Sequence, residues 1–183
     1  MKKFPELTLS RLVVLAMLMA LEIVLGRVTS IGTNLWQVSL SFVAAAMIGA
    51  VGGIAWSAIA AGVVDVVGTL VFSHYGYNWQ FTLSAMVIGA VYGAFFYGIK
   101  LHVGRLLDWA YVLLSIIVVM GLDTVFFNSL WVSLLYGMKF EVAVVSRLPL
   151  LIEIVPRLII LMLVLPALQQ VPQIRRMVGV KGE

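Results

Sequence analysis

The chain has 183 residues, 63% of them apolar and 11% charged, with no cysteine, a formal net charge of +4 and a mean hydropathy of +1.12. A soluble domain, with roughly 45–50% apolar and about 25% charged residues, could not hide that much apolar surface, and a disordered chain has the opposite composition. The missing cysteine removes a disulfide scaffold, a thiolate metal site and a thiol nucleophile.

What remains is an all-α integral membrane protein, with length for about six spans at roughly 20 residues each. Residues 8–27 (TLSRLVVLAMLMALEIVLGR) form an apolar run long enough to cross. No small-residue cleavage site ends it, so it is expected to be a retained first helix rather than a signal peptide. The second span, 38–52, is short, and Gly52-Gly53 breaks it from a third at 54–72. The fourth covers 80–99. The fifth and sixth, 106–137 and 141–170, exceed what a bilayer needs, which predicts tilt or projecting ends. Residues 1–183 thus read as a single membrane domain of six transmembrane helices.

With the N-terminus inside, the inner segments hold Lys2, Lys3, Arg11, Lys100, Arg105, Arg175, Arg176 and Lys181, and the outer ones only Arg27 and Lys139. This asymmetry satisfies the positive-inside rule and makes both termini cytoplasmic. The tail RRMVGVK reads as an anchor beside anionic lipid, not as a nucleic-acid patch. Small residues recur every four positions: Ala16 and Ala20; Ala45, Gly49 and Gly53; Ala58 and Gly62; Ala85, Gly89 and Gly93. Such rows let helix backbones approach closely in lipid, in most cases within one protein.

Ionisable residues in or beside the apolar runs are Glu22, Arg27, Asp65, Asp123, Arg147, Glu153 and Arg157. Charge at membrane depth is costly, so each is a functional candidate. Glu153 and Arg157 stand four apart on one helical face and read first as an intrahelical pair. The alternating direction of the spans carries Arg27, Asp65, Asn128, Trp131 and Arg147 toward the outer side. The outer connections bring Trp36, His74, Tyr75 and Tyr77 there too. The aromatics alone would make an interfacial belt; with polar groups beneath them they resemble a pocket open to the outside.

Asp65 shares a helical stripe with Gly68, Thr69 and Phe72. A carboxylate there suits a ligand edge bearing two adjacent N–H donors, with Phe72 stacking nearby; the structural alternative is a bond to an arginine. Arg27 and Arg147 could clamp an anionic group. His74 and His102 are isolated, so no metal site is expected. The chain lacks a Gly-x-x-x-x-Gly-Lys-Ser/Thr loop, a His-Glu-x-x-His motif and a Gly-x-Ser-x-Gly motif, so it neither cradles ATP by that device nor shows an enzyme's constellation.

Three segments resemble the substrate-binding S components of energy-coupling factor (ECF) vitamin transporters: LAMLMALEIVLGR (15–27), GVVDVVGTLVFSHYGYNWQFTLSAMVIGAVYG (62–93) and NSLWVSLLYG…SRLP (128–149). The last looks like the folate-specific branch, although Trp79-Gln80 stands where that branch carries Pro-Gly. The resemblance implies a membrane receptor that captures folate outside. It would dock through Ala16 and Ala20 on a T component carrying two ATPase subunits, which spend the ATP, and it would need no cofactor of its own. It also implies that Asp65 and Asn128 meet the pterin edge, that Phe72, Tyr77, Phe81 and Trp131 enclose the rings, that Trp36 is a further substrate-binding residue, and that Arg27 or Arg147 meets the glutamate tail. Pantothenate or a pyridoxine-like vitamin is the alternative ligand. A proton-coupled carrier using Glu22, Asp65, Asp123 or Glu153, or a membrane enzyme, is the alternative class.

Overall fold

A computed structural model of the chain describes residues 5–28, 31–33, 36–72 and 77–178, with the side chains of 27, 28, 31–33 and 36–38 outside the description. It is an all-α membrane protein, with one small hairpin in a connection. Helix α1 is Leu9–Val28. Strands β1 (Ile31–Thr33) and β2 (Trp36–Val38) pair antiparallel, with Ile31 opposite Val38 and Thr33 opposite Trp36. The sequence predicts only a connection here; the β-branched and aromatic residues of this stretch favour the extended pairing found.

Helix α2 (Ser41–Phe72) is long, but Gly53 inside it has φ 64° and ψ −171°, a conformation essentially confined to glycine. Ser57 Oγ donates to Ile48 O at 3.0 Å. Residues nine apart on a straight helix would be separated by about 13 Å of rise, so the chain turns back sharply at Gly53 and α2 is two helical segments. Helix α3 (Trp79–Phe96) packs along this turn. A Cβ on Gly93 would lie 2.4 Å from Gly53 O, and one on Gly89 would lie 2.4 Å from Ser57 O. The small-residue rows of α2 and α3 are therefore an internal seam where backbone meets backbone.

Helix α4 (Leu106–Met120), a π-helical turn (Gly121–Phe127) and α5 (Asn128–Tyr136) form one apolar stretch of 31 residues. Helix α6 (Phe140–Arg147), a 3-10 turn (Leu148–Glu153) and α7 (Ile154–Gln170) form another. Short α8 (Pro172–Met177) closes the described chain. The core runs through Ile48, Val51, Phe96, Ile116, Met120, Leu161 and Leu165.

The ends of the chain are tied together. Buried Arg11 donates from Nη1 to Glu6 O and from Nη2 to Met177 O at 2.9 Å, and Trp56 Nε1 donates to Pro5 O at 3.0 Å. Leu15 and Leu18 on α1 are buried, whereas Ala16 and Ala20 are exposed on its opposite face, among Leu12, Val13, Met17 and Val24. The alanine row of α1 is thus no part of the internal seam.

Candidate functional site

A chamber of about 660 Å³ opens between the helices, within the size range of small-molecule sites. From α3 it is lined by Phe81, Ala85, Ile88, Gly89 and Tyr92, which share one face of the helix. From Phe81 to Tyr92 that face runs about 16 Å, so the α3 wall is long enough to lie along an extended ligand. Ser39, Ser41 and Tyr136 stand at the end nearest the β1–β2 hairpin. Ile48 and Ser57 stand at the other, beside the turn at Gly53.

Asp65 lines the wall and accepts a hydrogen bond from Thr82 Oγ1 at 2.6 Å. Tyr77 Oη lies 2.9 Å from the same Thr82 oxygen, so the three residues form a chain that holds the carboxylate in place. Tyr77 itself stays exposed and outside the chamber. Phe81 lines the chamber; Phe72 is half exposed at the end of α2 and does not.

The π-helical turn explains a juxtaposition that ordinary helical spacing would forbid. Residues five apart on an α-helix diverge by about 140°. Here the backbone N–H of Asn128 bonds Asp123 O in an i→i+5 pattern, and Asn128 Nδ2 donates to the same oxygen at 3.1 Å. Asp123, Thr124 and Asn128 thereby all line the chamber. Trp131 does not: its Nε1 donates to Ser84 Oγ at 2.6 Å and its ring stacks on Phe127, which fixes it between α3 and α5.

Arg147 is buried, lines the chamber, and donates from Nη1 to Ala143 O at 3.3 Å. Two residues read as a self-neutralising pair also belong to the wall. Arg157 donates through Nε and Nη2 to Glu153 Oε2 at 3.0 and 2.7 Å, and its guanidinium lies over the Phe42 ring, 4.7 Å from the centroid. Glu22 lines the chamber from α1. Intramembrane charge in the sequence marked Glu22, Asp123, Glu153 and Arg157, but nothing there separated wall from packing. The side chains of Arg27 and Trp36, with His74 and Tyr75, lie outside the described residues. Among the described residues no group of three His, Asp or Glu side chains could hold a metal ion.

The arrangement suits a long ligand with hydrogen-bond donors and an anionic group: acceptors from Asp65, Asp123 and Glu22, cations from Arg147 and Arg157, and apolar or aromatic walls from Phe42, Phe81 and Tyr92. No family model matches the chain. It is 32% identical over 183 residues to the folate transporter FolT of Streptococcus mutans, covering 99% of this chain and 98% of that one. It is 34% identical over 137 residues to the folate transporter FolT of Clostridium novyi, covering 75% and 76%. Among solved structures, the crystal structure of FolT bound with folic acid superposes with a TM-score of 0.78 at 29% identity, covering 88% of this chain and 97% of that one.

Proposed function

The chain belongs to the FolT family, the folate-binding S components of ECF transporters, and on that premise we propose that its chamber takes one folate from outside and that a separate ATP-driven module carries it inward. The observation that carries the reading is a chamber of about 660 Å³ whose wall carries both carboxylates, Asp65 among them, and arginines, Arg147 among them. A pterin is flat, with an N–H and an amino group side by side. Asp65, preset by Thr82, is the acceptor for that edge, and Asn128 orients it. Phe81 and Phe42 enclose the rings, and Arg147 meets the glutamate tail.

Delivery needs energy that this chain has no loop to harvest, since it lacks the phosphate-cradling motif. Its exposed Ala16 and Ala20 offer a flat face where a second membrane subunit's helix can lie close. The partners under this reading are a T component and two ATPase subunits, with the bilayer around them, and the chain itself uses no cofactor.

Two measurements test the proposal. Purified chain titrated with folic acid should quench tryptophan fluorescence saturably at micromolar ligand or below. No response, or displacement by pantothenate or pyridoxine instead, rejects folate. Reconstituted with T component and ATPases, the chain should import folate only with ATP. Import by the chain alone would reject the coupled scheme in favour of a self-contained carrier.

A further inference from the structure

Helix α1 turns Leu15, Leu18 and Glu22 inward on one stripe, at spacings of three, four and seven residues. Glu22 stands two residues beyond Ala20, about 200° around the helix, so it points away from the exposed alanine face. A leucine would complete this apolar stripe; a carboxylate there costs free energy unless something partners it. Within the described residues Glu22 Oε2 is shut off from solvent without a hydrogen-bond partner, and the residue lines the chamber. Two other acids on the same wall are engaged: Asp65 receives Thr82, and Glu153 receives Arg157. Glu22 thus brings a carboxylate with one unmet oxygen to the wall of the space where a ligand would sit.

We propose that Glu22 is a direct ligand contact that accepts a hydrogen bond from the amino group of the bound pterin, an assignment that rests on the folate reading above. An amino group on such a ring has two N–H bonds. One lies beside the ring N–H and shares its acceptor; the other points to the opposite side and needs an acceptor of its own. Asp65 serves the first and Glu22 the second, so two helices grip one substituent. Glu22 also makes α1, the helix with the exposed alanine face, part of the binding site.

The test is a cycle between protein and ligand. Wild-type chain, Glu22→Leu and Glu22→Gln are titrated calorimetrically with folic acid and with its 2-desamino analogue. Glu22→Leu should weaken folic acid by about tenfold to a hundredfold, the loss expected for one hydrogen bond to a charged group. Its effect on the desamino analogue should be under about threefold, because the partner N–H is gone. Glu22→Gln keeps an acceptor oxygen and should lose less folic acid affinity than Glu22→Leu. If Glu22→Leu fails to fold, the same comparison is made with Glu22→Gln. Equal losses for both ligands, or none for folic acid, overturn the assignment while the folate reading stands. Wild-type chain that binds no folic acid sinks both at once.

Discussion

Ser57 donates its hydroxyl to the carbonyl oxygen of Ile48 across Gly53, and the chamber's inner end is built on that bond. It joins two segments that one continuous helix would hold far apart. The chamber's floor exists because the backbone can turn there.

Gly53→Ala should therefore destabilise the protein by about 1–3 kcal/mol, since it forces a side chain into a glycine-only conformation. Gly93→Ala should cost a similar amount, about 1–3 kcal/mol, by overpacking, because its Cβ would meet the backbone of Gly53. Thermal unfolding in detergent measures both. An unchanged transition in either variant would mean that the seam is loose.

Arg157 and Glu153 form a pair with side chains only 17% and 10% exposed. Removing one partner strands the other charge, so Arg157→Met should cost about 3–5 kcal/mol. The double replacement Glu153→Met with Arg157→Met should recover most of that loss. The same thermal unfolding decides it, and a double variant as weak as Arg157→Met would show that Arg157 acts through Phe42 or another neighbour instead.

Asp65→Asn should weaken folate at least about tenfold, because the carboxylate is replaced by a group that turns a donor toward the pterin edge. Thr82→Val, which removes only the hydroxyl that presets the carboxylate, should have a smaller effect, and Tyr77→Phe a smaller one still. Fluorescence titration gives the order; the reverse order would make Thr82 the contact and Asp65 its support.

Arg147→Ala should separate folate from pteroate, the same molecule without its glutamate. Binding of folate should fall by about tenfold or more while pteroate is barely affected, as loss of a charge-assisted bond to the tail requires. Equal losses would reassign Arg147 to holding the end of α6 through Ala143 O.

Ala16→Trp or Ala20→Trp should abolish ATP-dependent uptake and co-purification with the T component, leaving folate affinity unchanged. Both residues face away from the chamber, so ligand binding has no reason to alter. Uptake at the wild-type rate would remove this face from the docking scheme.

The fold class was legible because apolar runs of spanning length and four-residue spacings of small residues are direct requirements of helices in lipid. The site was legible only in part. Asp65, Phe81, Asn128 and Arg147 all line the chamber. Phe72 shares Asp65's helical stripe, yet seven residues carry it about 10 Å along the axis, beyond the enclosed part of the chamber. Trp131 had no mark in the sequence to show that Ser84 would take its indole N–H. The convergence of Asp123 and Asn128 depends on a π-helical turn, which no residue spacing announces. Glu153 and Arg157 satisfied a simple local rule, and that rule concealed their place on the wall.

The clamp at Arg11 bears on how the protein is made. Its acceptor on Met177 is 166 positions downstream, so this bond cannot form until α8 has been synthesised. Gly98 N–H likewise finds its acceptor only at Val178. A chain lacking α8 would leave both donors without these acceptors.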